Sequence, residues 1–154
     1  MKLLTTFVCG AVSAVVLLAQ SPVPVASLKT FASSADVQAL IARAKSEHKE
    51  GQAIVTEPIL QFAPYAATLE YRASAGAAAV HPDQAEMMYV IEGSATLITG
   101  GKLTGKTIEG GESRNVSKGD FLVVPEGTPH WFSAIDSTLV LMTIKMPRGA
   151  AAAH

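Results

Sequence analysis

Two periodicities divide the chain. Between residues 33 and 51, Val37, Leu40, Ile41 and Ala44 recur at helical spacing behind an N-cap offered by Ser33-Ser34, with Asp36 in the first turn. Lys49-Glu50-Gly51 supplies the stop. A stripe that narrow covers something larger and forms no core of its own, and His48 at its polar end is expected in solvent.

From Ala53 the pattern changes to short runs rich in Val, Ile, Thr and aromatic residues. They are Ala53 to Thr56, Thr68 to Arg72, Met87 to Glu92, Ala95 to Thr99, Phe121 to Val124, Trp131 to Ile135 and Thr138 to Lys145. Glu92-Gly93, Gly100-Gly101, Lys118-Gly119-Asp120, Glu126-Gly127 and Asp136-Ser137 read as the turns between them. This spacing predicts an all-β sandwich or barrel built of hairpins.

Hydropathy singles out the first residues as well. Met1-Lys2 precedes an apolar stretch from Leu3 to Ala19 interrupted only by Thr5, Thr6, Gly10 and Ser13. The stretch is short for a bilayer span of about 20 residues, and Val25-Ala26-Ser27 offers a small-residue cleavage site. We read residues 1–27 as a secretory signal peptide, with an uncleaved membrane anchor as the alternative, and expect export to the periplasm or the extracellular space. The single cysteine, Cys9, lies inside this segment, so cleavage leaves no thiolate ligand, no disulfide and no cysteine nucleophile.

Charge narrows the partners. There are 12 Lys and Arg against 13 Asp and Glu, and charged residues are 16% of the chain, against roughly a quarter in ordinary domains. Neither sign forms a run, so nothing favours nucleic acid or an acidic membrane surface. Loss of residues 1–27 removes one lysine and no acid, leaving a net charge of −2.

Two segments carry the candidate chemistry. The first runs from Gly76 through Ala79, His81 and Glu86 to Gly93, with four residues between His81 and Glu86 and six between Glu86 and Gly93. The second runs from Gly119 through Pro125 and Gly127 to His130, with five residues before Pro125 and two before His130. In the second, Pro125 ends a strand, Gly127 is free to take positive φ and Pro129 stiffens the exit, so His130 starts the next strand in a fixed direction. Along that strand His130 and Phe132 share a face, as do Glu86, Met88 and Val90 on the other. If both faces look into one small barrel, two imidazoles and a carboxylate meet in an apolar interior, where an ionised Glu needs a cationic partner.

The two segments resemble the paired motifs of the cupin superfamily over roughly Leu60 to Met146, with Ala79 where the family has its first motif histidine and Ala134 in place of a frequent Asn. The resemblance implies a cupin-type double-stranded β-helix, a jelly-roll barrel with one N-terminal helix. Together with the hydropathy and periodicity above, this divides the chain into a signal peptide (1–27), a helical segment (28–52), a β-barrel (53–147) and an Ala-rich tail (148–154) expected to fray. The resemblance also implies that His81, Glu86 and His130 bind one divalent metal, and that the protein is a homodimer.

Without a histidine at position 79, two His and one carboxylate remain, the donor set of the facial triad that holds non-haem iron with open positions. The fourth position is open to Asp83, to Gln84 or to no protein ligand. Donor softness suits Fe, Mn, Ni, Co or Zn without choosing among them. Met88 and Phe132 are expected to line the pocket beside the ion. The function implied is action on a small organic molecule of the dioxygenase, isomerase or lyase type. The alternative is a non-catalytic cupin that binds a small ligand at a degenerate metal site.

Gly100-Gly101-Lys102-Leu103-Thr104-Gly105-Lys106-Thr107 satisfies the phosphate-loop pattern, but context defeats it. No strand-to-helix transition follows, and Glu109 and Glu112 would repel a polyphosphate. We expect no nucleotide here, only a long mobile loop.

Overall fold

Helix α1 (Ser34–Glu47) forms where the stripe predicts it. The Ser33 side chain accepts from the Asp36 amide, and the Asp36 carboxylate accepts from the Ser33 amide at 2.8 Å, closing a capping box. The computed structural model describes residues 28–148, so the proposed signal peptide and all of the tail beyond Arg148 lie outside the described residues. The helix ends ahead of the expected stop, with His48 as C-cap. His48 is half-buried, against the expectation of solvent: its Nε2 meets the Gln52 carbonyl at 2.8 Å and its ring lies 5.8 Å from that of Tyr71.

Eight strands follow: β1 (Ile54–Phe62), β2 (Tyr65–Arg72), β3 (Gln84–Thr99), β4 (Lys102–Thr104), β5 (Thr107–Glu109), β6 (Glu112–Ser117), β7 (Phe121–Val124) and β8 (His130–Pro147). The main sheet runs β1-β2-β8-β3-β6, all antiparallel, and β7 pairs with the first half of β3. The two long strands β3 and β8 stay paired over nearly their whole length and fold the sheet back on itself as a jelly-roll barrel.

Two expected turns are bends inside those long strands. Gly93, at φ 84°, and Asp136-Ser137 lie beside one another in the β3–β8 ladder, where Ser94 faces Ser137 and the register shifts between Val90 and Ala95. Added residues that stay in a ladder bend and twist it instead of ending it. The expected mobile loop at 100–107 is mostly a second sheet, the β4–β5 hairpin, with Leu103 opposite Ile108 and Ile108 buried. Strand β6 escaped the sequence reading because of its six residues only Val116 is buried.

Burial falls on the two faces of the main sheet. Outside, Ile41 and Ala44 of the helix pack on Val55, Ile59, Ala67, Leu69, Tyr71 and Val140. A bidentate pair between Arg43 and Glu57, a residue only 6% exposed, ties the helix to β1. Inside, Met88, Val90, Ala95, Leu97, Val116, Val124, Phe132, Leu139 and Leu141 form the barrel core. The candidate site sits at one end of that core.

Candidate metal centre

His81 lies in the turn before β3, Glu86 on β3 and His130 at the first position of β8. The β3 pleat turns Glu86, Met88 and Val90 inward, all under 5% exposed. On β8 it turns His130 and Phe132 inward, at 6% and 2% exposure. His130 starts its strand where the sequence reading places it, because its amide and carbonyl exchange bonds with the carbonyl and amide of Ala79, both at 2.9 Å. The Gly127 amide donates to the His81 carbonyl at 2.8 Å and ties the two motifs together.

The three side chains converge. His81 Nε2 is 3.3 Å from Glu86 Oε1, His130 Nε2 is 2.9 Å from Glu86 Oε2, and one donor atom of each lies within 4.8 Å of the others. The imidazole centroids are 5.3 Å apart. Two nitrogens and a carboxylate at this spacing suit one divalent transition metal.

The surroundings of His130 test that fit. Its Nδ1 faces the Thr128 carbonyl at 3.2 Å, which can only accept, while its Nε2 faces a buried carboxylate. A neutral imidazole has one N–H to give. Both acceptors are satisfied by an imidazolium, or by a neutral ring whose Nδ1 donates to Thr128 and whose Nε2 lone pair shares a cation with Glu86. The backbone carbonyl on the far nitrogen is the usual orienting partner of a metal-ligating histidine.

Electrostatics point the same way. Burial alone would raise the Glu86 carboxyl, but the His130 hydrogen bond and the charges of His130, His81 and Lys145 outweigh it and hold it below the ordinary range. Burial lowers His81 against the pull of Glu86, favouring the neutral ring a metal requires.

The expected fourth ligands part company. Asp83 is exposed, stands outside the group of three, and uses its carbonyl to accept from the Arg148 amide at 2.8 Å. That bond, and an Arg148 Nε to Glu126 contact of 2.9 Å, hold the first residue of the expected fraying tail against the barrel. Gln84 shares the inward face of β3 with Glu86, at its open end. Ala79 faces His130 directly across the bridge, so its methyl shares the face of the His130 ring.

Several residues of this face went unnoticed in the sequence. Lys145 Nζ lies 3.8 Å from Glu86 Oε1, and the Glu70–Arg72 ion pair and Thr143 share the same interior surface. Alternation carries the signal: where Leu69 and Tyr71 cover one side of β2, Thr68, Glu70 and Arg72 must occupy the other.

The model of the cupin domain family matches residues 66–145. Comparison by sequence with curated proteins finds no match. Among solved structures, KdgF from Halomonas sp. is similar at TM-score 0.52 and 19% identity, over 66% of this chain and 87% of that one. BH2720 from Bacillus halodurans is similar at TM-score 0.54 and 16% identity, over 79% of this chain and 84% of that one. HppE in its Fe(II) form is similar at TM-score 0.53 and 17% identity, over 62% of this chain and 52% of that one. Identities this low carry the fold alone. With the family match spanning more than half of its residues, and both motifs folded onto one barrel, the chain belongs to the cupin family.

Proposed function

We propose that this protein is an exported cupin that holds one divalent transition metal at His81, Glu86 and His130 and acts on a small organic molecule in a dioxygenase, isomerase or lyase type of reaction. The observation that carries it is His130, held between the Thr128 carbonyl and the Glu86 carboxylate so that a cation completes the set. The similar HppE structure, in its Fe(II) form, supports metal binding on this fold.

A metal bound here would supply Lewis acidity, or redox chemistry if it is iron or manganese, to an oxygen-bearing ligand. The chain's own residues set the stage for it. Glu86 supplies the anionic ligand, Thr128 fixes the His130 ring, and Met88 and Phe132 exclude water from below. Lys145, with its side chain 51% exposed, keeps a positive charge at the mouth. Three protein ligands leave positions for substrate, and that distinguishes an enzyme site from a closed structural one.

Cobalt(II) loading followed by visible spectroscopy tests this. Addition of azide should shift the ligand-field bands, because an open position takes up the anion. Bands indifferent to azide would contradict a catalytic site.

Export rests on Lys2 and the apolar stretch to Ala19. The homodimer is supported by the outer face of β7 and β3, where Phe121, Val123 and Tyr89 are 60%, 52% and 38% exposed. A monomeric elution profile at high concentration would contradict it.

A further inference from the structure

The wall of the barrel across from the triad carries charge. Thr68, Glu70 and Arg72 alternate on β2 with Ala67, Leu69 and Tyr71, whose side chains pack on the outer face, so they look inward. On neighbouring β8, Glu70 lies opposite Leu141 and Arg72 opposite Leu139, both core residues. Arg72 donates through Nε and Nη2 to one oxygen, Oε2 of Glu70, at 2.8 and 2.6 Å. Its guanidinium lies 4.8 Å over the ring of Phe132, two residues along β8 from His130.

This pair is only 13% exposed on each side, and it is not fully used. Among the described residues, neither Nη1 of Arg72 nor Oε1 of Glu70 makes a hydrogen bond. The hydroxyl of Thr143, 2% exposed, has no partner either. Thr143 faces Thr68 on one side and Met88 on the other, and so lies diagonally between Glu70 and Glu86. A desolvated ion pair is a poor way to hold a fold, since apolar residues of the same volume often do as well or better. A rigid fork with an uncommitted donor beside an uncommitted carboxylate oxygen is instead what ligand recognition uses.

We propose that Arg72 and Glu70, with Thr143, form the ligand-orienting half of the site and that the ligand is a small hydroxy acid. This rests on the metal reading above. A divalent cation with one carboxylate and two neutral rings is net positive, and Lys145 adds charge at the mouth, so the ligand group that reaches the triad is an oxyanion. A donor beside an acceptor, as Arg72 Nη1 and Glu70 Oε1 present, complements a hydroxyl, which accepts from one and donates to the other. Phe132, which carries the Arg72 guanidinium, stands two residues along β8 from His130, a span of about 7 Å, so hydroxyl and carboxylate sit on different carbons of the ligand, not on adjacent atoms.

Calorimetric titration of full-chain, Mn(II)-loaded protein with 3-hydroxybutyrate tests this, with butyrate and 1,3-butanediol as the matched compounds lacking one group each. Metal content is measured on the same samples. The parent should bind 3-hydroxybutyrate about tenfold or more tighter than either control. Arg72→Gln should weaken it by about tenfold to a hundredfold and erase the preference over butyrate, with metal content unchanged. Arg72→Lys keeps the charge beside Glu70 and Phe132, so it carries the test should the first variant not fold. It loses the planar fork and should lose the same preference. Variants that keep both metal and preference, or a parent that binds butyrate equally well, would overturn the assignment. A parent that takes up no metal overturns the proposed function and this inference together, and the metal assay separates that failure from a failure of Arg72 alone.

Discussion

Phe132 is where the barrel core and the candidate site meet, and its replacement tests both. It is 2% exposed, packs in the inner cluster with Leu97, Leu139 and Leu141, and carries the Arg72 guanidinium on its face. Phe132→Ala removes a ring from a closed core, at a cost of about 3–5 kcal/mol. Against a total of about 5–15 kcal/mol for a domain, that is a third of the stability or more. The ring face adds a cation–π contact of about 0.5–2 kcal/mol, toward the upper end because Arg72 is largely desolvated. A double-mutant cycle isolates it. Phe132→Leu keeps most of the volume, Arg72→Met keeps most of the stem, and the pair together should cost about 1 kcal/mol less than the sum of the singles. Urea unfolding of metal-free protein, followed through the single tryptophan Trp131, supplies the numbers. A loss below about 1 kcal/mol for Phe132→Ala, or no coupling in the cycle, would refute this account of the interior.

Three further outcomes follow from the geometry. Ala79→His should place a third imidazole beside His130 and slow metal loss to a chelator by at least about tenfold, since even outer-shell partners have effects of that size; unchanged retention would mean that this position does not face the ion. Gly93→Ala should cost more than about 3 kcal/mol or prevent folding, because Gly93 has φ 84° and an added methyl would collide with the Thr138 carbonyl; a urea-measured loss under about 1 kcal/mol would contradict the bend. His81 is depressed by burial, so in metal-free protein its contribution to stability is complete above the ordinary imidazole range and is lost as pH falls through its lowered folded value. Thermal melts should therefore fall between about pH 7 and pH 5, and by less in His81→Gln; equal slopes would count against a half-buried, neutral His81.

The sequence was most readable where one residue does one local job. The capping box at Ser33 and Asp36, the stripe of Val37 to Ala44, and the Pro125-Gly127-Pro129 turn that aims His130 all operate within a few residues of chain. The triad was legible because strand alternation fixes which way Glu86 and His130 point once both face one interior. What escaped depends on partners far away in sequence. Gly93 and Ser137 look like turn residues singly, and only their neighbouring places in one ladder, where Ser94 pairs with Ser137, make them matched bends. Strand β6 hides behind Glu112, Arg114 and Asn115 because its inner face buries almost nothing, and Leu103 becomes a strand residue only by meeting Ile108. Glu70 and Arg72 read as polar positions of an ordinary amphipathic strand. They join the site only because the helix covers the opposite face and turns this one toward the triad.

Metal content tests the three-ligand site of His81, Glu86 and His130 most directly. Inductively coupled plasma mass spectrometry on protein purified without an affinity tag, beside Glu86→Ala, should find near-stoichiometric Fe, Mn, Ni, Co or Zn in the parent and little in the variant. A parent that is empty and resists reloading, or a variant that retains as much metal as the parent, would contradict it.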